Sequence, residues 1–287
     1  MATISLALHG ARPEATDAAR ALVERLVPQG HRFVASARDV ATMGSPTDVT
    51  LVEEGPGGLA SVDLAVALGG DGTVLRTVEA LRGAPVPVLG VNLGQLGYLT
   101  EVEVDDLDGA VDRFLAGSHA IEQRMLLEVL VASGDADPQR LLALNEATID
   151  RTVSGHTIRL DVAIDGQAFT PYEVDALIVA TPTGSTAYGY SAGGPIAAPT
   201  HSLLLLTPVS PHMLFDRTLV LEHDSTVGVV VGGHRPACLV VDGLHIADLG
   251  PGDSVTCTAA SEHAQLVVFG PRNFPRLLKA KFKLSDR

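Results

Sequence analysis

Tryptophan is absent, and only two cysteines occur, Cys238 and Cys257. Both lie in apolar stretches without metal-ligand spacing, so they are expected in core packing, in a reducing compartment. No apolar run approaches the roughly 20 residues that a membrane helix needs; the densest is the short Leu203–Leu206. The start of the chain, Met1 to Gly10, lacks the basic region of a signal peptide, so the expected location is cytoplasmic and the expected state soluble. Basic side chains are also scarce. Twenty Lys and Arg face 34 Asp and Glu, a formal net charge of -14. That balance argues against nucleic acid or an anionic membrane as partner, because both require basic patches. A phosphorylated ligand would then depend on backbone N–H groups, a metal ion, or a few Arg and Lys at one spot.

What is present falls into two rhythms. In the first half, apolar strand-like runs (Ile4–Leu8, Phe33–Ala35, Val62–Leu68, Val86–Val91) alternate with helical patterns (Ala18 to Leu26, Val74–Leu81, Asp105–Gly117). Such alternation predicts a parallel sheet with helices on both faces. Between Ala37 and Ser61 the pattern is weak, and it reads as a mobile loop around one short strand near Val49–Val52. In the second half Ile158, Leu160, Val162 and Ile164 alternate with Arg159, Asp161, Ala163 and Asp165, and Asp165-Gly166 marks a hairpin turn. Short strands at Ala176–Ala180, Leu219–Leu221, Val227–Val231, Leu239–Val241, Val255–Thr258 and Leu266–Phe269 follow, punctuated by Asp242-Gly243 and Gly252-Asp253. Many strands with few helices predict an all-β sandwich. The expected division is an α/β domain over 1–120, a β-sandwich domain over 121–270, and a basic, apolar tail, 271–287, returning to the first domain.

The motifs sit where strands end. Gly69-Gly70-Asp71-Gly72-Thr73 joins the Val62–Leu68 strand to the Val74–Leu81 helix, at the carboxyl end where open α/β sheets bind ligands. There is neither a Walker lysine nor a GxGxxG spacing; a carboxylate occupies the turn. Beside phosphates, Asp71 has two suitable jobs: accepting the proton of an attacking hydroxyl, or helping to hold Mg²⁺. A carboxylate is a weak base for a sugar hydroxyl, so it would orient the hydroxyl and take the proton late. The plainer reading makes Asp71 a helix cap and the glycines mere turn formers. A second turn, Asn92 to Tyr98, follows the next strand; Tyr98 is either a base-stacking ring or a core aromatic. Asn145-Glu146 interrupts an apolar stretch, and an amide beside a carboxylate suits a diol. The segment from Asp175 to Pro199, DALIVATPTGSTAYGYSAGGPIAAP, packs hydroxyls and free N–H groups that suit phosphate oxygens. His212, in Thr207-Pro208-Val209-Ser210-Pro211-His212, is either a phosphate contact or structural.

Together these segments resemble the NAD kinase family: GGDGT at Gly69–Thr73, NLGQLGYLTE at Asn92–Glu101, NE at Asn145–Glu146, the block from Asp175, and TPVSPH at Thr207–His212, in the family's order. The resemblance implies a Rossmann-like N-terminal domain, a β-sandwich C-terminal domain and a site in the cleft. It implies phosphoryl transfer to the 2′-hydroxyl of the adenosine ribose of NAD, from ATP or inorganic polyphosphate. It makes Asp71 the proton acceptor. Gly70, Gly72, Thr73 and Arg76 would line the dinucleotide or phosphate site, and Tyr98 would lie near the adenine. Asn145 and Glu146 would hold ribose hydroxyls. His156, Asp175, Thr183, Ser185, Thr186, Ala187, Tyr188 and Ser191 would contact the nucleotide. No direct protein ligand to a metal is expected, since Mg²⁺ or Mn²⁺ would arrive with ATP, and the assembly would be a homodimer or homotetramer. The sequence departs from the family's pattern at Glu173, Ala176 and Leu244. GGDGT alone is shared with lipid kinases, so a lipid kinase and a non-catalytic dinucleotide sensor stand as alternatives.

Overall fold

The structure is a computed structural model and describes residues 1–53, 58–94, 97–134 and 137–284. Parts of two expectations, Gly55 to Gly57 in the weakly patterned loop and Gln95-Leu96 in the second glycine turn, lie outside the described residues. The chain divides into two compact units, Met1–Gln123 with Ala264–Arg287, and Arg124–His263.

The first unit begins β1 (Thr3–Leu8), α1 (Pro13–Leu26), β2 (Arg32–Ala35), α2 (Ala37–Thr42) and β3 (Val49–Leu51). It continues β4 (Leu64–Gly69), α3 (Asp71–Leu81), β5 (Pro87–Asn92), the two-residue β6 (Val102–Glu103) and α4 (Leu107–Leu115). The strands run parallel in the order β3-β2-β1-β4-β5. The chain winds outward from β1 on one side and then from β4 on the other. The crevice of such a sheet opens beyond the carboxyl ends of these two strands, and β4 ends at the glycine turn. Every residue of β4 is buried, as expected for a strand covered on both faces. Pro13 opens α1, whose Ala15, Ala19, Leu22, Val23 and Leu26 bury one face at helical spacing.

One expectation fails here. Residues 37–42 form a helix, not loop, started by Ser36, whose hydroxyl accepts the Asp39 N–H at 3.3 Å. Six residues are too few to show helical periodicity, and the cap was the one readable signal.

The second unit is a two-sheet β-sandwich. After β7 (Ala120–Ala132), β8 (Gln139–Ala143), β9 (Glu146–Arg151), β10 (Ile158–Ile164) and β11 (Gln167–Val174) come β12 (Ala176–Ala180), the short helix α5 (Tyr188–Ser191) and β13 (Leu203–Val209). Then follow β14 (Leu219–Glu222), β15 (Val227–Gly232), β16 (Ala237–Val241), β17 (Leu244–Leu249) and β18 (Ser254–Val268). One sheet has the order β14-β13-β12-β9-β16-β17; the other joins β11, β10, β15 and β18, with β7 and β8 continuing from β18. A single core unites them, with Leu160, Val162 and Val229 from one sheet and Ile149, Leu177 and Leu206 from the other. Asp165 and Gly166 turn the β10–β11 hairpin with φ of 52° and 74°, the pair of left-handed residues that a tight hairpin needs. The two short strands expected at Val255–Thr258 and Leu266–Phe269 are one 15-residue strand, β18. Polar residues such as Glu262 and His263 break its apolar pattern without ending its pairing. Near its end, Gln265 and Leu266 pair parallel with Pro87 and Val88 of β5, and α6 (Phe274–Phe282) follows within the first unit. Among the described residues no helix is long and apolar enough to cross a membrane.

Candidate active site

In the first unit, Gly70 caps α3 and Asp71 is its first residue, but the Asp71 side chain does not close that helix. Its Oδ2 accepts the Tyr98 N–H and its Oδ1 the Leu99 N–H, each at 2.8 Å. The helix-cap reading is therefore set aside. Two backbone donors orient the carboxylate, and each oxygen keeps a lone pair for another partner. The tight approach that fixes this geometry is made by Gly97, where any Cβ would collide with Asp71 Oδ1. Gly70 and Gly72, flanking the acid, face open space, and neither has positive φ. Thr73 is buried within the first turn of α3.

Two neighbours of the turn, Arg76 and Tyr98, have partners within the first unit. Arg76 makes a bidentate pair with Asp39, at 2.9 and 3.1 Å, and donates to the Leu8 carbonyl at 2.7 Å. Asp39 is itself buried and also accepts the Leu8 N–H and the Ser36 hydroxyl. This network ties α3 to α2 and β1, and it occupies the guanidinium that was expected to line a phosphate site. The Tyr98 ring carries the Lys281 ammonium of α6 over one face, 4.6 Å from its centroid.

In the second unit the polar motifs converge on Asn145-Glu146, at the bend between β8 and β9. Asp242, in the β16–β17 turn, accepts N–H groups from three successive residues: Leu144 at 2.7 Å, Asn145 at 2.8 Å and Glu146 at 3.0 Å. Thr181 closes the other side, its N–H on the Asn145 carbonyl and its hydroxyl on that of Leu144, at 2.8 and 2.6 Å. Gly184 then lies so close that any Cβ would strike the Asn145 carbonyl, which presses the Thr183–Thr186 turn onto the pair. Sequence reading recognised Asp242-Gly243 only as punctuation, since nothing local shows what a turn carboxylate reaches across 98 positions.

Glu146 is the most perturbed acid of this group. It is 8% exposed, and its Oε2 has no hydrogen-bond partner. Burial first, then the Asp242 charge, push its pKa up to about 8, while a hydrogen bond from the Tyr188 backbone pulls the other way. At neutral pH the carboxyl is largely protonated and can donate a hydrogen bond.

The remaining expected contacts divide by exposure. Thr183 and Ser185 are buried with their hydroxyls engaged: Arg124 donates to Thr183 Oγ1 at 3.3 Å, and Ser185 Oγ bridges the N–H and carbonyl of Ala197 at 3.0 and 3.2 Å. They shape the loop. Thr186 bonds the Thr183 carbonyl, and half-buried Ala187 leads into the exposed Tyr188 and Ser191. Burial and then the charges of Asp150 and Asp175 raise the Tyr188 phenol. Asp175 is paired with Arg151. His156 is exposed in the loop before β10. Of the departures, Glu173 and Leu244 are exposed, whereas Ala176 is fully buried in β12. Among the described residues, no three His, Cys, Asp or Glu side chains gather as a metal cage.

Comparison with known proteins follows the same division. The ATP-NAD kinase N-terminal domain family matches residues 53–119, and the ATP-NAD kinase C-terminal domain family matches 144–269. The chain is 39% identical to the NAD kinase of Heliobacterium modesticaldum over 99% of each chain. It is 38% identical to NAD kinase 2 of Streptomyces coelicolor over 98% of this chain and 94% of that one. Among solved structures it is similar to yeast NADH kinase complexed with NADH, with a TM-score of 0.89, 25% identity, and coverage of 100% of this chain and 89% of that one. An NAD kinase from Archaeoglobus fulgidus in complex with ATP shares the fold, with a TM-score of 0.74, 22% identity and 99% coverage of both chains. With both domain families matched in order and relatives this similar along nearly their whole length, the chain belongs to the NAD kinase family.

Proposed function

We propose that this chain is an ATP-dependent NAD kinase that phosphorylates the 2′-hydroxyl of the adenosine ribose of NAD to give NADP. The observation that carries the reading is the state of Asp71. Its carboxylate is fixed by the Tyr98 and Leu99 N–H groups, is not used by its own helix, and retains acceptor capacity on both oxygens. In the proposed step the ribose 2′-oxygen attacks the γ-phosphorus of ATP, the bond to the β–γ bridging oxygen breaks, and ADP leaves. The hydroxyl proton passes to Asp71 as the new P–O bond forms. The donor is ATP, with Mg²⁺ or Mn²⁺ as the divalent ion that would neutralise its phosphates. Inorganic polyphosphate is a second candidate donor.

Asn145 and protonated Glu146 are assigned to the ribose hydroxyls, with Glu146 as hydrogen-bond donor. Thr186, Ala187, Tyr188 and Ser191 present backbone and hydroxyl groups to the nucleotide, as do His156 and Asp175 in a lesser role. Thr183 and Ser185 act by shaping the loop, and Gly70, Gly72 and Thr73 leave room and N–H groups at the turn. We assign dinucleotide binding to the β-sandwich unit, the assembly to a homodimer or homotetramer, and the location to the cytoplasm.

The test is product analysis after incubating the pure protein with NAD, Mg²⁺ and either ATP or polyphosphate. For Asp71→Asn, turnover should fall about 10²- to 10⁴-fold, the range for a positioned proton acceptor, while NAD binding by calorimetry stays near wild type. Unimpaired turnover in that variant removes the proposed role. Binding of NAD without NADP formation by wild type with either donor would make the protein a sensor.

A further inference from the structure

We infer that Arg272 is a positioning residue for Asp71, acting through the backbone that holds the carboxylate; this rests on the role proposed for Asp71. The two N–H groups that grip Asp71 belong to Tyr98 and Leu99. Behind them, the Arg272 guanidinium reaches the carbonyls of the same stretch: Tyr98 at 3.2 Å, and Leu99 and Thr100 each at 3.5 Å. Three carbonyl dipoles thus converge on one cation. The longer pair contribute mainly by field, since their geometry is poor for hydrogen bonds. Arg272 is itself fixed, because Nε lies 3.0 Å from Glu101 Oε2 and Glu122 is 3.8 Å away. Glu101 in turn accepts the Phe269 N–H at 2.8 Å, so the loop carrying Arg272 is pinned at both ends of the contact. The Arg272 side chain is 16% exposed, so its pairing is only weakly screened.

The planar fork of arginine suits this position, and an ammonium does not. One guanidinium satisfies a carboxylate and fans toward successive carbonyls at once, whereas lysine offers a point charge. With Arg272 removed, the 98–100 stretch keeps its N–H donors and the Glu101 N–H bond to the Gly90 carbonyl, but loses the one side chain that draws its three carbonyls together and so trims the angle of the donors to Asp71. A displacement of about 1 Å at a reacting group can cost on the order of 100-fold in rate. Arg272 touches no reacting atom in this assignment; its effect should appear in turnover and pass through Asp71.

A double-mutant cycle tests this in the full-length protein. Arg272→Gln and Arg272→Lys should each lower kcat about 10- to 100-fold, with KM for NAD and for ATP within about twofold of wild type and a smaller loss for Lys. In the Asp71→Asn background, adding either substitution should change the residual kcat by less than about twofold, because the group being positioned is already gone. The inference is overturned if Arg272→Lys, the milder variant that should fold where Gln does not, keeps wild-type kcat. Multiplicative losses in the cycle, or a change confined to KM, also overturn it. Failure of the Asp71 reading looks different: Asp71→Asn alone would then turn over normally.

Discussion

At Glu146 a carboxyl sits largely buried beside the Asp242 carboxylate, and its pKa rises to about 8. The folded protein therefore holds a proton that the unfolded chain releases near the ordinary value of 4.5. Between these two values the native state binds more protons, so this group's contribution to stability falls as pH rises, by at most about 1.4 kcal/mol per pH unit. The loss is complete once pH passes the folded pKa. Glu146→Gln should flatten the fall of Tm between about pH 5 and 8, and should melt higher than wild type at pH 8.5, as scanning calorimetry would show. An unchanged slope means that Glu146 is ionised at neutral pH and cannot donate to a ribose oxygen. The carboxyl itself was legible in sequence as an acid inside an apolar run. The cause of its perturbation was not, because Asp242 lies at 96 positions' distance and looked like a turn former. Asp71 was likewise legible as the acid of a strand-to-helix turn. Its partners were not, since Tyr98 and Leu99 come to it across a sheet, and the glycine that permits the approach is Gly97, outside the GGDGT turn.

Among the elements, strongly patterned and uniformly apolar segments such as β4 and β12 were readable, whereas the six-residue α2 and the unbroken length of β18 were not. The alternation over β10 and the Asp165-Gly166 turn predicted a hairpin that the structure contains. Helix α2 was not legible, and with it the pairing of Arg76, because Asp39 lies on that helix. The family resemblance places Arg76 at the dinucleotide or phosphate site, and the pair with Asp39 gives the same guanidinium a structural partner. Asp39→Ala strips the half-buried Arg76 of its counter-charge and the Leu8 N–H of its acceptor, and should destabilise the fold by about 1–3 kcal/mol. Arg76→Gln should likewise lower Tm in thermal melts, with KM for NAD near wild type. A raised KM at unchanged Tm would return Arg76 to the substrate wall.

Over the whole molecule, 34 acidic side chains oppose 20 basic ones. Self-repulsion at such a charge disfavours the compact state. Raising the salt from about 0.1 M to about 1 M shortens the screening length from about 10 Å to about 3 Å, so Tm should rise with sodium chloride. A fall would show that local ion pairs, such as Arg25 with Asp108 and Asp112 or Arg140 with Glu128 and Glu262, outweigh the global charge. The order of strands around β1 and β4 sets the acid-bearing turn at the mouth of the parallel sheet, where the proposed phosphoryl transfer would take place. The segment after β18 backs the stretch that grips Asp71, with Arg272 at the Tyr98 carbonyl and Lys281 against the Tyr98 ring. Because α6 and the loop before it bear on Tyr98, whose N–H grips the Asp71 carboxylate, a substitution that loosens α6 should slacken the hold on the acid that we propose as proton acceptor.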